Sequence, residues 1–262
     1  MQDKSRPDSI QSSMARIEDG AKKNYFSLFP EEQIQGILDA FVINRPMAGS
    51  VGGDGFFVHQ GAEHLYVAVF DCMGHGHLAS MMTRQYTTTL GKIIAEQNID
   101  DPGEILAELH EQFRKKFEGK KNLQVGTGAD LGLVKIGFAE MGMEYAGAKM
   151  DLLKVRDRQL EVIKADRFQI GEMFEYEHSY KTQKIPIDFS NRSNFYLMSD
   201  GFKDLMGGPD NKKLGKAKMT ELLEDYFKLS MKAQKTVFNN FIDEWKGTNP
   251  QYDDILIIGF GI

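Results

Sequence analysis

The run Leu65-Tyr66-Val67-Ala68-Val69-Phe70 passes directly into Asp71-Cys72-Met73-Gly74-His75-Gly76. The apolar run reads as a buried strand. It ends in a carboxylate, and two glycines and a histidine follow. Glycine lets the backbone turn sharply and approach a ligand closely. A carboxylate at a strand end, beside a loop that small ligands can enter, suits a hard cation such as Mg2+ or Mn2+. Taken alone, Asp71 also reads as a cap for the helix that starts near His77.

Three further acidic clusters bear on that choice. Val51-Gly52-Gly53-Asp54-Gly55 precedes the strand-like Phe56-Phe57-Val58. Ser199-Asp200-Gly201 follows Phe195-Tyr196-Leu197-Met198, and Tyr252-Asp253-Asp254 precedes Ile255-Leu256-Ile257-Ile258. Each places an aspartate at one end of a short apolar strand. A single such junction is an ordinary turn. Four of them, across roughly two hundred residues, are harder to read as unrelated turns. Carboxylates brought together repel one another unless a cation lies between them. Oxygen ligands without a histidine or cysteine cluster favour Mg2+ or Mn2+ over zinc or copper.

With 262 residues, 41% of them hydrophobic, the chain can bury a sizeable core in one domain. A net charge of -6 argues against a nucleic-acid surface, which is normally basic. A single cysteine precludes an internal disulfide and points to a reducing compartment. No apolar run approaches a membrane span, and no signal-peptide core is read at the N-terminus, so no membrane contact and a cytoplasmic location are expected.

Along the chain, residues 1–28 read as a polar leader with a helical stripe at Met14, Ile17, Ala21, Tyr25 and Leu28. Residues 29–262 read as the main domain. A short helix is predicted over Glu31 to Ala40, then strands at Phe41-Val42-Ile43, Phe56-Phe57-Val58 and Leu65 to Phe70. His77 to about Gln97 carries a helical pattern, with Leu78, Met81, Met82, Gln85 and Leu90 turned inward. Asp100-Asp101-Pro102 has the cap-then-proline start of a second helix, through about Phe117. Gly119 to Gly128 is a basic, glycine-rich loop. Strands follow at Asp130 to Phe138, Met143 to Ala148, Asp151 to Val155 and Leu160 to Lys164. After the Asp200 junction come helices near Lys216 to Leu229 and Met231 to Lys246, and a last strand at Ile255 to Phe260. Runs of strands interrupted by helix pairs predict an α+β fold: two mainly antiparallel sheets packed together, with helices outside.

These motifs resemble those of the metal-dependent serine/threonine protein phosphatases of the PPM (type 2C) class, in the bacterial branch of the sporulation stage II E and stress partner-switching phosphatases. The resemblance rests on Arg45-Pro46 through Asp54, Asp71 to Gly76, Tyr145-Ala146-Gly147-Ala148, Gln169-Ile170-Gly171, Tyr196 to Gly201 and Asp253-Asp254-Ile255, in family order. It implies an α-β-β-α sandwich with the metal site at one end. It further implies two Mn2+ or Mg2+ ions, with a weak third as an option. Asp71 would bridge both ions and the backbone carbonyl of Cys72 would bind one. Asp54, Asp200 and Asp253 would complete the set, partly through waters. The implied reaction is hydrolysis of phosphoserine or phosphothreonine on a regulatory protein, a STAS-type anti-sigma-factor antagonist being the expected class. It also implies control by an upstream sensor domain or activating partner. The Met14–Leu28 stripe is the candidate switch and offers a route to a homodimer; the helices after Gly91 are the rival candidate, and the stripe also reads as a helix that only packs on the sheet.

Several residues carry two readings. His75 either protonates the leaving serine oxygen or only hydrogen-bonds within the metal loop. Arg45 is read as an ion-pair partner rather than a phosphate ligand. Asp130 and Asp254 are read as turn or supporting residues rather than ligands of a third ion. Cys72 is read as a small buried side chain, not a nucleophile. Two alternative functions stand beside the phosphatase: a catalytically inactive scaffold that binds a signalling partner, and a phosphoesterase of small molecules.

Overall fold

The computed structural model describes residues 28–29, 31–47, 51–74, 76–97, 99–118, 128–137, 139, 142–172, 179–188 and 190–262. In chain order the strands are β1 (Asp39–Arg45), β2 (Asp54–Gln60), β3 (His64–Cys72), β4 (Ala129–Gly137), β5 (Gly142–Ala148) and β6 (Leu152–Arg156). Then come β7 (Gln159–Ile163), β8 (Gln183–Pro186), β9 (Asn194–Met198), β10 (Met206–Gly207), β11 (Lys212–Lys213) and β12 (Ile255–Gly261). The helices are α1 (Glu31–Gln35), α2 (Gly76–Glu96), α3 (Pro102–Phe117), α4 (Asp200–Lys203), α5 (Gly215–Tyr226) and α6 (Met231–Lys246).

One sheet has the order β1-β12-β9-β6-β7 and the other β2-β3-β4-β5-β8, with every strand pairing antiparallel. The β10–β11 pair forms a small separate ribbon. Helices α2 and α3 cover the β2-to-β8 sheet; α5 and α6 cover the other. The result is the expected α-β-β-α sandwich.

Two burying faces explain the unbroken apolar runs. Side chains alternate across a strand, and on β12 both alternating sets are buried. Leu256, Ile258 and Phe260 enter the core between the sheets, whereas Ile255 and Ile257 enter the core under α5 and α6. Strand β9 divides in the same way, Phe195 and Leu197 inward and Tyr196 outward. The α3 start also follows its sequence: Asp101 caps the helix by accepting from the Glu104 amide at 3.0 Å, with Pro102 in the first turn.

The face of α2 differs from expectation. Leu78 is 79% exposed and Met81 59% exposed. The buried stripe is Ala79, Thr83, Tyr86, Leu90, Ile93 and Ile94. Of the five residues expected inside, Leu90 is fully buried, and Met82 is partly buried against the core. Counting apolar residues alone missed Thr83 and Tyr86, whose polar atoms are satisfied inside: Thr83 donates to the Gly53 carbonyl at 2.6 Å and Tyr86 to the Ile170 carbonyl at 3.2 Å. The first helix is also shorter than expected, because Asp39 and Ala40 already belong to β1. Strand β8, with only Ile185 buried, carries too little apolar pattern to be read from sequence. The Met14–Leu28 helix falls outside the described residues except for Leu28, which packs against the core. The 119–127 loop also falls outside them.

Tyr86 is buried and its ring stacks on Phe113 at 4.0 Å between centroids. Tyr86→Ala should therefore cost about 3–5 kcal/mol of unfolding free energy, whereas Leu78→Ala should stay within about 0.5 kcal/mol. Urea unfolding of both variants checks the assignment; equal losses would contradict the observed helix face.

Candidate functional site

Three aspartates stand in one row across neighbouring strands. Asp54, at the start of β2, lies opposite Asp71 near the end of β3, and Asp71 lies opposite Asp130 at the start of β4. The second sheet supplies acids at the same end. Ser199 and Asp200 follow β9, and Asp253 and Asp254 precede its neighbour β12. Asp200 and Asp253 are close enough to Asp71 to raise its pKa by their charge. The four aspartates singled out in the sequence are thus brought together, with Asp130 beside them.

Backbone contacts hold the two halves in place. The Asp254 carboxylate accepts from the Met47 and Gly53 amides, each at 2.6 Å, tying the loop before β2 to the turn before β12. Asp254 is thus a supporting residue, as expected. A Cβ at Gly53 would lie 2.6 Å from the Cys72 carbonyl oxygen and 2.8 Å from that of Gly74. Glycine is required there because these carbonyls press against the β2 entrance. A Cβ at Gly201 would lie 1.9 Å from the Asp254 carbonyl oxygen, so only glycine lets α4 back onto that turn. The Ser199 hydroxyl accepts from the Leu256 amide at 2.9 Å, and hydrogen bonding from Ser199 favours the ionised Asp54. Gln169 donates to Asp130 at 2.7 Å, which gives the Gln169-Ile170-Gly171 motif its place at the site.

The electrostatics are those of crowded carboxyls. Burial pushes Asp71 up to about 7, and the charges of Asp200, Asp253 and Asp130 add to the rise. Burial also raises Asp54 well above the usual carboxylate range, with Asp71 the next cause; its side chain is 2% exposed. Burial is again the first cause for the raised Asp130 and Asp253. Cys72 is buried, and that burial holds its thiol in the neutral form, which removes it as a nucleophile. Arg45 is engaged elsewhere: it donates to Asp243 at 2.6 Å and to Asn239 on α6. His75 lies outside the described residues.

Among the described residues no three acidic, histidine or cysteine side chains already form a closed ligand cage. The donor set nevertheless fits Mg2+ or Mn2+. It consists of oxygens, it concentrates negative charge that a cation would relieve, and the Cys72 and Gly74 carbonyls stand close against Gly53. In the sequence Ser199 and Gln169 stand only as members of motifs, without a role of their own, and Thr83 does not stand out at all. Their role depends on contacts across 30 to 57 residues of chain, which no local pattern records.

Residues 61–261 match the Stage II sporulation protein E (SpoIIE) family, and the chain belongs to it. Among solved structures it is similar to the SiaA-PP2C domain of Pseudomonas aeruginosa, at 26% identity and a TM-score of 0.86, covering 97% of this chain and 98% of that one. It shares the fold of the PP2C phosphatase domain of SpoIIE from Bacillus subtilis, solved with a fragment of its regulatory domain. That likeness has 17% identity and a TM-score of 0.67, over 84% of this chain and 61% of that one. It likewise shares the fold of RsbX in complex with magnesium, at 18% identity and a TM-score of 0.57, over 85% and 93%. No curated protein sequence matches the chain. The fold is therefore that of the PPM-type (PP2C) protein phosphatases, as the motifs implied. Among the described residues no helix is long and apolar enough to cross a membrane.

The raised carboxyls set a pH dependence for the metal-free protein. The folded state retains a proton on Asp71 up to about pH 7, whereas an unfolded aspartate releases it near 4. The resulting stability is complete below about pH 4 and is lost as pH rises through about 7. In EDTA the thermal midpoint should fall from pH 6 to pH 8, and Asp71→Asn should flatten that fall. Added Mn2+ should raise the midpoint most at pH 8. Thermal scans at the two pH values check this, and a wild-type midpoint that does not fall in EDTA would contradict it.

Proposed function

We propose that this chain is an Mn2+- or Mg2+-dependent phosphatase of phosphoserine or phosphothreonine on a regulatory protein. The observation that carries the reading is the gathering of Asp54, Asp71, Asp200 and Asp253 at one end of a PP2C fold. Residues 29–262 form the phosphatase domain in this reading, acting in the cytoplasm. Asp54, Asp71, Asp200, Asp253 and the Cys72 carbonyl would hold two ions, with Asp130 available to a weak third. Bound divalent cations supply charge neutralisation and acidified water near neutral pH.

The chain's own residues supply position. The hydrogen-bonded ladder fixes Asp54 and Asp71 on facing strands, and Asp254 and Ser199 lock the loops that carry the other acids. A rigid acidic frame of this kind is suited to in-line attack on phosphorus, where catalysis is mainly positioning and charge stabilisation. His75 is assigned as the proton donor to the leaving serine oxygen, from its place in the Asp71 to Gly76 motif. A STAS-type anti-sigma-factor antagonist is the proposed substrate class, in keeping with a family of partner-switching phosphatases.

Asp71→Ala and Asp200→Ala should each reduce Mn2+-dependent phosphate release from a phosphoserine protein by at least about 100-fold, and EDTA should silence the wild type. Either variant retaining near-wild-type turnover at saturating Mn2+ would sink the ligand assignment. A wild type that binds its partner yet releases no phosphate would favour the inactive scaffold. Turnover of para-nitrophenyl phosphate alone would favour a small-molecule esterase.

Regulation is assigned to the Met14–Leu28 stripe, which an upstream sensor domain or partner would dock or release, with dimerisation through the same segment. A tenfold change in metal affinity needs only about 1.4 kcal/mol, within reach of one or two packed side chains. Removing residues 1–28 should shift the Mn2+ midpoint for activity by several-fold. An unchanged midpoint together with unchanged turnover would remove the segment from the mechanism.

A further inference from the structure

A cleft of about 260 Å³ opens from Asp71, Asp130 and Asp200 and runs along the helix-covered side of the β1-to-β7 sheet. Lys149 and Lys203 stand with the acids, Leu153, Met198 and Met219 form an apolar wall, and Lys216 and Asp151 also line the cleft. Both lysines act to lower the Asp130 pKa, which places their charge at the mouth of the acidic cluster. Lys203 also lies 3.8 Å from the Asp200 carboxylate.

Lys149 is an unusual residue for its position. It follows β5 with φ of 59°, in the left-handed region where glycine or asparagine is favoured. Its amide donates to the Asp166 carbonyl at 2.7 Å, which fixes that backbone. Its side chain is exposed, and no carboxylate among the described residues lies within salt-bridge distance of it. A long cationic side chain thus stands at a left-handed backbone position and lines an acidic cleft. Backbone strain of this sort concentrates at ligand sites.

We infer that this cleft is the groove that receives the phosphorylated segment of the substrate. Lys149 and Lys203 hold the outer phosphate oxygens, and the Leu153–Met198–Met219 wall takes an aliphatic side chain beside the phosphoresidue. The inference rests on the phosphatase reading above for the identity of the ligand. A phosphomonoester carries nearly two negative charges near neutral pH. It must approach five aspartates, so cations at the entrance offset the repulsion that the inner cluster exerts. Lysine suits this position, since it binds phosphate as a point charge on a flexible stem. The apolar wall favours a peptide over a phosphate ester that has no apolar group, because a peptide brings a neighbouring side chain to fill it.

The test uses peptides with a non-hydrolysable phosphonate in place of phosphoserine, followed by either Leu or Asp. Binding to the full chain in Mn2+ is read by fluorescence anisotropy. Lys149→Gly should weaken the Leu peptide about three- to tenfold, and Lys149→Arg should retain most of the affinity. Glycine relieves the left-handed backbone, so Lys149→Gly should show no loss of thermal stability, which separates lost binding from lost folding. Wild type should prefer the Leu peptide over the Asp peptide, and Met219→Asp should abolish that preference. The proposal is overturned if the Lys149→Gly/Lys203→Gln double variant binds as tightly as wild type, or if wild type binds the two peptides equally. It is also overturned if wild type binds the phosphonate peptide no better than its unmodified counterpart. Phosphate release from the matching phosphoserine peptide is measured separately. Its absence with phosphonate binding intact would remove the phosphatase reading and leave the groove standing.

Discussion

Mutual repulsion among carboxyls is the constraint around which this end of the molecule is organised. Burial and neighbouring charge both raise Asp71 and Asp54. Burying a polar group without compensation costs a few kcal/mol, and a charge costs more. A loop-borne cluster would relax by swinging apart. Here Asp54, Asp71 and Asp130 cannot, because each sits in a ladder whose register is fixed along the length of the strands. A slip of one residue would turn every core side chain of β3 to the opposite face. The hydrophobic sandwich thus supplies the stability that holds the acids in an unfavourable arrangement, and that arrangement favours a divalent cation.

The supporting contacts follow the same logic. Asp254 accepts two amides and thereby stitches the entrance of β2 to the entrance of β12. Thr83 reaches from α2 to the Gly53 carbonyl, so the helix that covers the sheet also braces the site. The close approaches at Gly53 and Gly201 let main-chain oxygens stand where side chains normally would. These features make the geometry of the acids a property of the whole end of the sandwich.

Much of this was legible in the sequence because it is encoded locally. Apolar runs such as Leu65 to Phe70 and Ile255 to Ile258 announce strands buried on both faces, and the aspartate at each end announces where the faces stop. Asp101-Pro102 marks its helix start unambiguously, since the cap and the proline act within one turn. The α2 face was misread because burial there follows geometry rather than hydrophobicity: Thr83 and Tyr86 go inside with their polar atoms paired, leaving Leu78 and Met81 outside. Strand β8 was invisible because an edge strand with one buried residue has no alternation to detect. The roles of Ser199 and Gln169 were equally hidden, since each bonds a partner tens of residues away.

The two sheets contribute to the site unequally, and the difference matters for control. Asp54 and Asp71 belong to strands, and Asp54 is almost wholly enclosed. Asp200 opens a four-residue helix, with its side chain 43% exposed, and Asp253 stands in an exposed turn. The first pair is as rigid as the core. The second pair depends on α4, anchored in the core by the buried Phe202 and Leu205, and on the turn before β12, held by hydrogen bonds and the Gly201 contact. The side chains of the second pair are more exposed than the enclosed Asp54 and can move at less cost, since local displacement costs less than global unfolding. In the proposed site a cation would draw on both pairs at once. A cation site split in this way would lose affinity through a small movement on one side while the fold stays intact, which is what the proposed control by a partner requires.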